Sequence, residues 1–482
     1  MYKNWRERPA LALTAVAVAQ FMVALDMAVV NVALPAIRAE LGFQPLDLAW
    51  VVHIYALTFG GFLLLGGKAC DLFGRRRLFA AGLVVFGIAS IAGGFAQEPW
   101  QLVAARALQG LAAAAVAPAA LSTLTTTFTE GPARVRALGV WSAVNAAGGA
   151  MGVLVGGLLT EYATWRWVML INIPIVAIAL GAVLVGVAAD ERGRNGERLD
   201  MVGAVLATSG VGLLVVGVVR TDRHGWASGI TCTTLAAGLV LLACFAVVEA
   251  RFARTPLVRL GLLRSRWVTG ANIFVFFAAA GQFAAFYLMS LYMQQVLGMS
   301  AGATGAAFVP FSLAVIVGTI VATRLGARRS PKTPLVGGGL LTAAGIGWFA
   351  LISPDGSFLA DVLGPSLVGG FGLGLCLAPV AAAATMGVSG PEAGMASGVF
   401  NSARQLGGSV GVAALATIAA GRTGTRIDPI GLNDGYALGL GIAALLFATA
   451  ALVAASILPS ARSRSTSAPK VSRHEELSAA RP

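Results

Sequence analysis

Runs of about twenty consecutive apolar residues recur along almost the whole chain, and each is long enough to form a helix across a lipid bilayer. These runs are continuously apolar instead of alternating, which favours helices over the strands of a membrane barrel. We place fourteen such spans at 11–33, 49–68, 77–96, 101–126, 138–160, 167–188, 201–219, 229–248, 268–296, 303–323, 335–353, 359–388, 394–420 and 436–458. The sequence therefore predicts an all-α integral membrane protein.

The charged residues support this interpretation. Only 11% of the 482 residues are charged, which is too little polar surface for a water-soluble globule. If the N-terminus is cytoplasmic, 26 of the 34 lysines and arginines fall in tails and loops on that side and six fall in the opposite loops. This asymmetry follows the positive-inside rule, so we predict that both termini are cytoplasmic. The net charge of +13 then reports topology and contact with anionic membrane lipids, and we expect no nucleic-acid partner.

The chain divides into four predicted regions. They are an N-terminal six-helix bundle at 1–190, two additional spans at 191–258, a C-terminal six-helix bundle at 259–459 and a disordered cytoplasmic tail at 460–482. The two bundles echo each other, because GGAMGV at 148–153 has the same form as GGSVGV at 407–412. Repeated halves of this kind are typical of secondary transporters.

One carboxylate, Asp26, interrupts the first apolar span. An aspartate at the centre of a membrane helix costs about 2.5–3.5 kcal/mol, so it needs a partner or a function. Arg106 in the fourth span shares a helix face with Gln109 and Gly110, and an arginine at this depth must face a cavity or a polar group. A cation that approaches and leaves Asp26 would change how tightly this carboxylate holds a proton, as proton coupling requires. A static ion pair is the alternative, and the sequence alone does not show whether the two residues meet.

The segment GGKACDLFGRRR at 66–77 occupies the short cytoplasmic turn between the second and third spans. Glycines permit a tight turn, and a carboxylate beside basic side chains can form an ion pair in one conformation and release it in another. We interpret five residues of this segment as a gating loop: Gly67, Asp71, Gly74, Arg75 and Arg76. In the alternative interpretation the arginines only set the topology, which does not explain the glycine spacing around the aspartate.

Glycines at four-residue intervals form a stripe on the fifth span. The stripe consists of Gly148, Gly152 and Gly156, with Gly157 beside it. A helix face without side chains lets a neighbouring backbone come close, either as a plain packing contact or as a surface on which two helices pivot.

Several polar and aromatic residues within the spans are candidates for a substrate cavity, because polar groups in a membrane usually face a cavity or one another. The candidates are Asn31, His53, Gln109, Asn145, Phe283, Tyr287, Asn401 and Arg404. A lone histidine such as His53 could relay protons, although such a residue more often lines a pore as a hydrogen-bonding group.

The charge of the substrate is predicted from the acidic residues. Asp26 is the only one of the 21 aspartates and glutamates that falls deep within a span, so a dication would lack a second negative partner. Aromatic and methionine side chains of the ninth span, with amides such as Gln282, suit a flat molecule. We therefore expect lipophilic substrates that are neutral or monocationic, and little transport of dications.

Six segments together carry a resemblance to a known family. LDMAVVNVALP (25–35), GKACDLFGRRR (67–77), RALQG (106–110), the glycine stripe, WRWVMLINIPI (165–175) and NSARQLGG (401–408) resemble the major facilitator superfamily, and within it the 14-helix drug:proton antiporters. The resemblance covers about 11–458 and implies two six-helix bundles with two extra helices between them. It also implies that Asp26 and Arg106 serve proton coupling, that 67–77 is a conformational gate and that the glycine stripe marks an exporter. Val153 departs from the family pattern, which has proline there.

These features predict a proton-coupled efflux transporter of drugs or antibiotics. The alternative within this class is an exporter or facilitator dedicated to one endogenous metabolite or self-made antibiotic. A membrane enzyme would need clustered histidine, aspartate or cysteine at one membrane face, whereas the three histidines lie far apart in the sequence. A channel would not couple transport to a gradient. We expect no catalytic residues, metal or cofactor, and a monomer whose partners are substrate, protons and lipids in a bacterial cytoplasmic (inner) membrane.

Overall fold

The computed structural model describes residues 8–43, 47–48, 50–128, 131–188, 200–221, 225–252, 260–326, 330–386, 388, 393–424, 426 and 428–459. The predicted tail at 460–482 lies outside these residues, and so do the side chains of His53 and Asp71. Over the described ranges the chain forms α-helices and loops, with no β-strand.

Sixteen α-helices are present in these ranges. In chain order, α1 to α16 are Pro9–Leu41, Trp50–Phe73, Arg75–Gly94, Pro99–Thr127, Gly131–Tyr162, Arg166–Leu170, Asn172–Gly186, Met201–Val219, Gly229–Arg251, Arg266–Leu291, Ala301–Ala307, Val309–Gly326, Lys332–Phe349, Gly364–Ala384, Ala393–Thr423 and Pro429–Ile457. A 3-10 turn precedes α10 at Leu260–Arg264, and π-helical segments lie at Tyr292–Val296 and Phe358–Leu363.

The membrane fold predicted from the apolar runs is confirmed. Ten helical segments in the described ranges are long and apolar enough to cross a bilayer, and shorter apolar helices lie at Trp50–Leu63 and Val202–Val218. Each predicted span coincides with one helix or with two consecutive helical segments. The total of fourteen crossings stays a prediction, because length and composition alone support ten.

Helix ends coincide with residues that cap exposed backbone groups. Asp200 begins α8 and accepts a hydrogen bond from the Gly203 amide at 2.8 Å, and Asp428 caps α16 in the same way. Glu98 and Gln101 form a reciprocal capping box at the start of α4. Each cap satisfies amides that a helix terminus leaves without partners. Polar residues between apolar runs therefore determine where the membrane helices begin.

Apolar side chains form separate cores in the two halves of the chain. In the first half, α1 packs against α5 and α7, and α4 packs against α2 and α3. In the second half, α10 packs against α15 and α16, and α14 packs against α12 and α13. The second core also includes Val32 and Val153 from the first half, so the two cores meet along α1 and α5.

Of the two additional helices, α8 lies against both halves. The Thr208 hydroxyl on α8 donates a hydrogen bond to the Gly61 carbonyl of α2 at 2.7 Å. Farther along α8, Val215 and Val218 pack against Ala413 of α15. Helix α9 packs on α8 and exposes most of its apolar surface. The seam between α2 and α15 is therefore covered by α8.

Candidate functional site

Asp26 lies at the centre of a buried hydrogen-bond network in the first half of the chain. Its Oδ2 accepts a hydrogen bond from Arg106 Nη1 at 2.6 Å. Its Oδ1 accepts hydrogen bonds from Asn172 Nδ2 at 2.8 Å and from Gln109 Nε2 at 3.3 Å. All four side chains are at most 1% exposed. Both carboxylate oxygens are thus occupied by donors from α4 and α7.

Arg106 is held from several directions. Its Nε donates to the Val51 carbonyl at 3.1 Å and its Nη1 donates to Gln109 Oε1 at 2.8 Å. The guanidinium carbon lies 4.3 Å from the centre of the Tyr55 ring, within the range of a cation–π contact. Gln109 completes the network by donating to the Ser90 hydroxyl at 2.8 Å.

The local sequence explains how these groups converge. Arg106, Gln109 and Gly110 share one face of α4, and a side chain at Gly110 would overlap α2 near Tyr55 and Thr58. This close approach of α2 and α4 brings Tyr55 onto the Arg106 guanidinium. On α1, the backbone beside Asp26 is in contact with the glycine stripe of α5. Small residues on two helices therefore position the charged pair.

The network is a closed electrostatic unit. Removing one partner from a buried ion pair typically costs about 3–5 kcal/mol, because the remaining charge is left uncompensated. Asp26 can take up a proton in place of its contact with Arg106 only if the guanidinium moves to other acceptors. The structure brings together the two residues that the sequence analysis singled out, in a form that suits either a static pair or one conformation of a coupling cycle.

This geometry corrects the predicted role of Asp26 towards substrate. A preference for monocations requires a deep carboxylate that is open to the cavity. Asp26 is instead 0% exposed and neutralised by Arg106, so its charge is not available to a cationic substrate. Gln109, predicted to line the cavity, is also 0% exposed and belongs to the same network.

The other predicted amides lie between helices. Asn145 of α5 accepts a hydrogen bond from Gln20 Nε2 of α1 at 2.6 Å. Asn31 is half-buried and donates to the Met27 carbonyl one turn earlier on α1. Asn401 of α15 is half-buried and has an interaction partner. The structure therefore ties Asn145 to a helix contact and leaves Asn31 and Asn401 partly accessible.

Arg404 of α15 lies beside Tyr55 and interacts with it electrostatically. Its buried Nε has no hydrogen-bond partner in the part of the chain that the structure describes, and the same is true of the Tyr55 hydroxyl and of Gln405 Oε1. Gln405 Nε2 approaches the Met27 sulfur at 3.9 Å. A group of buried polar atoms without partners thus lies where α1, α2 and α15 meet.

Aromatic residues of α10 are distributed over two environments. Phe283 lies against Gly408 of α15, and Tyr287 is half-buried against the second core. Gln282, Phe286 and Met289 instead line a cavity within the second half. Its other lining residues are Ala285, Phe308, Phe311, Thr342, Ile346, Phe349, Val362, Ser366, Leu373 and Phe447. The rings of Phe286 and Phe308 stack with centres 5.1 Å apart.

The predicted gating loop is shorter than expected, because Gly67 and Asp71 lie within the last turns of α2 and Arg75 and Arg76 begin α3. Gly74 alone separates the two helices. Gly74 has φ +88°, a conformation that side-chain-bearing residues rarely adopt. Arg75 hydrogen-bonds Thr126 at the end of α4, and Arg76 donates to the Leu184 carbonyl of α7. Nothing lies within 4 Å of a Cβ built on Gly67. These contacts hold the described part of the loop against the first half of the chain.

The glycine stripe of α5 faces α1. A Cβ built on Gly148, Gly152 or Gly156 would lie 2.6–2.7 Å from a backbone carbonyl oxygen of α1. Gly157 instead faces α11 in the second half, where a Cβ would lie 2.5 Å from the Ala301 carbonyl. One helix therefore packs closely on both halves of the protein.

Glu161 joins the two halves at the end of the same helix. Its Oε2 accepts hydrogen bonds from the Ser300 hydroxyl at 3.0 Å and from the Gly302 amide at 2.8 Å, at the start of α11. Close to it, a Cβ on Gly305 would lie 2.7 Å from the Val153 carbonyl. This seam is on the side predicted to face away from the cytoplasm.

Four of these residues were not among the sequence-predicted sites. Asn172 is a polar residue in an apolar span, a signal that could have identified it. Tyr55, Ser90 and Glu161 offer no comparable signal, because tyrosine, serine and an acid at a span end are common without any special role. Glu249, near the end of α9, is a second buried acid at 6% exposure.

The geometry defines a multi-pass helical membrane protein with a buried carboxylate–guanidinium network between its helices. Residues 16–412 match the family described as the Major Facilitator Superfamily. The chain belongs to this superfamily of membrane transporters.

Relatives of the chain match nearly its full length. It is 43% identical to the cephamycin export protein of Amycolatopsis lactamdurans, over 94% of this chain and 93% of that protein. It is 39% identical to the puromycin resistance protein of Streptomyces alboniger, over 92% and 90%. It is 35% identical to the tetracenomycin C resistance and export protein of Streptomyces glaucescens, over 87% and 77%.

Proposed function

We propose that this protein is a proton-coupled exporter of lipophilic antibiotics or drugs in a bacterial cytoplasmic membrane. The buried Asp26–Arg106 pair carries the proposal, because the Asp26 carboxylate can bind either a proton or the Arg106 guanidinium inside the membrane. The near-full-length relatives, which include export and resistance proteins for individual antibiotics, support the substrate class. The chain then needs no enzymatic step, metal or cofactor.

The coupling step follows from the hydrogen bonds of the pair. When Asp26 carries a proton, its attraction for Arg106 falls and the guanidinium turns to its other acceptors, Val51 and Gln109. When Asp26 loses the proton, the ion pair forms again. Because Asn172 of α7 and Tyr55 of α2 touch the pair, each change is felt by helices on both sides of α4.

Alternating access would move two six-helix bundles, 1–190 and 259–459, about the pair of helices at 191–258. Both termini are cytoplasmic in this proposal, as the distribution of lysine and arginine predicts. The α5–α11 seam then closes the outer side, and the loop with Gly74 and Arg75 controls the cytoplasmic side. The transporter acts as a monomer, with fourteen membrane crossings.

A dedicated exporter is the second candidate. Several relatives are named for one compound each, whereas another relative is named a multidrug resistance protein. A dedicated exporter would transport one compound or one close chemical series, and a multidrug exporter would transport unrelated scaffolds.

Transport into inside-out vesicles tests the proposal. Vesicles from cells with and without the protein would be given a proton gradient and a panel of labelled antibiotics. We expect uptake against the concentration gradient only with the protein, and its loss on addition of a protonophore. Uptake that persists with the protonophore would contradict proton coupling, and the number of scaffolds transported separates the two candidates.

A further inference from the structure

The unsatisfied polar groups between α2 and α15 have a defined chemistry. Tyr55 and Gln405 are each 1% exposed. Among the described residues, the Tyr55 hydroxyl, the buried Arg404 Nε and the Gln405 amide oxygen have no hydrogen-bond partner. Buried polar atoms in native proteins nearly always have partners, so each exception needs an explanation. Three exceptions at one place indicate a site that is completed by another molecule.

The charge at this place is positive. Within the described part of the chain, no carboxylate lies within ion-pair distance of Arg404. Asp26 is already paired with Arg106, and the Tyr55 ring lies against the Arg106 guanidinium. An uncompensated guanidinium in a membrane interior repels cations and strongly favours an anion.

The site also lies where the two halves of the chain meet. A Cβ on Gly60 of α2 would lie 3.1 Å from the Gln405 Cβ, and Gln405 also approaches Met27 of α1. The site therefore has walls from the first and second halves. A ligand bound there would contact both halves, as a substrate carried by alternating access must.

We propose that Arg404, together with the Tyr55 hydroxyl and the Gln405 amide, binds the carboxylate of an exported lipophilic acid. This inference rests on the proposed export function and names the substrate class. The planar guanidinium matches a carboxylate through two parallel hydrogen bonds, and the Tyr55 phenol donates a further one. The Gln405 amide donates through Nε2, which must turn from Met27 towards the ligand, because its Oε1 is an acceptor. Because Tyr55 also covers Arg106, the bound acid lies one aromatic ring away from the proton-coupling pair.

Two matched fluorescent probes test the substrate class: 7-methoxycoumarin-3-carboxylate and its neutral carboxamide. Their affinities would be measured with the purified full-length protein in phosphatidylcholine nanodiscs without any gradient. We expect the wild type to bind the carboxylate more tightly than the carboxamide. Arg404→Gln should weaken carboxylate binding by roughly tenfold, the effect of losing a charge-assisted pair, and reduce carboxamide binding much less. The affinity of Arg404→Lys for the carboxylate should lie between those of the wild type and of Arg404→Gln.

Control variants separate this effect from damage to the fold. Arg422→Gln removes an exposed arginine from the same helix and should not change either affinity. Tyr55→Phe keeps the ring on Arg106 and removes only the hydroxyl. It should weaken binding of the carboxylate probe and leave binding of the carboxamide unchanged. If Arg404→Gln loses affinity for both probes equally, the arginine is purely structural and the proposal is overturned.

Two further outcomes would also overturn it. One is equal wild-type affinity for the two probes. The other concerns nanodiscs that contain phosphatidylglycerol. If this lipid abolishes carboxylate binding by the wild type but leaves the binding by Arg404→Gln unchanged, the site belongs to a lipid headgroup. Failure of the export function is recognised separately, because it appears as absence of protonophore-sensitive vesicle uptake whatever the affinities are.

Discussion

Asp26 accepts hydrogen bonds from three side chains, and only one of them is charged. Asn172 and Gln109 can keep their bonds to a neutral acid, whereas the attraction of Arg106 depends on the negative charge. The neutral donors therefore hold the carboxyl group in place while the guanidinium responds to the proton. This division of roles is what a coupling site requires at the scale of single residues.

Asp26→Asn should abolish gradient-driven uptake. It also leaves Arg106 without its counter-charge, which is expected to destabilise the protein by about 3–5 kcal/mol. The double variant Asp26→Asn/Arg106→Gln removes both charges and should recover most of that stability without recovering uptake. Vesicle transport and thermal unfolding in detergent would be measured together. If either variant concentrates substrate as well as the wild type does, the pair is only structural.

Helix α5 is the element that joins the charge network to the seam between the halves. Its glycines pack on α1 on either side of Asp26, and its last turns pack on α11. Because the glycine backbone of α5 lies directly against the α1 backbone and the Ala24 and Ala28 methyl groups, the two helices cannot come closer without a clash. A shift of α5 at the seam is thus transmitted to the backbone around Asp26.

Gly152→Ala should destabilise the protein by about 1–3 kcal/mol, because the new methyl group would lie 2.6 Å from the Leu25 carbonyl oxygen. Gly149→Ala is the matched control on the same helix, since a Cβ there meets nothing within 4 Å. Unfolding temperatures and expression levels of the two variants would be compared. Equal behaviour of the two variants would contradict the close α5–α1 contact.

Glu161→Gln should favour opening of the α5–α11 seam, because a neutral amide accepts weaker hydrogen bonds from Ser300 and Gly302. The reporter is Val153→Cys, placed in a background without the native cysteines, where Val153 is 5% exposed at the seam. Maleimide labelling should accelerate by roughly two- to tenfold, since each exposed charge-assisted bond contributes about 0.5–1.5 kcal/mol. Asp428→Asn, which preserves a helix cap, serves as control. An unchanged labelling rate in Glu161→Gln would show that Glu161 does not hold the seam closed.

At the scale of the whole molecule, the two halves touch along several seams of the described chain, three of which involve sites named above. They meet at α5 and α11, at the site between α2 and α15, and through α8, which contacts α2 and α15 together. Any movement of one half against the other must change these contacts. The α2–α3 loop belongs to this scale, because it lies at the predicted cytoplasmic ends of α4 and α7.

Gly74→Val should slow the transport cycle while substrate binding is retained. Valine at φ +88° is strained by about 1–3 kcal/mol, which changes how α3 begins and where Arg75 and Arg76 point. Asp71→Asn is expected to act in the same direction. Gly181→Val on α7 is the control, as a Cβ there meets nothing within 4 Å. Turnover and equilibrium binding would be measured separately, and parallel loss of protein from the membrane would favour a role in topology alone.

The substrate preference shows how far residue types can mislead when their partners are unknown. Counting acids in the spans correctly isolates Asp26 as a deep carboxylate, and the expectation that dications are poor substrates is unchanged. Whether that carboxylate faces the substrate depends on Arg106, which is 80 positions away in the sequence. Pairing with Arg106 neutralises that carboxylate, and in our proposal Arg404 supplies the charge that a substrate meets.

The sequence by itself determined the properties that depend on nearest neighbours along the chain. Continuous apolar runs dictate membrane helices, because an unpaired backbone group in lipid is too costly for any open structure. The loop arginines predict orientation, and the family motifs predict the superfamily. Only the tertiary structure decided which helices meet. It placed Asn172 and Tyr55 on the Asp26–Arg106 pair, turned Gly157 toward α11 and left the Arg404 Nε without a partner among the described residues. These contacts join residues far apart in sequence, and helix packing brings them together through glycine faces whose partners no local pattern specifies.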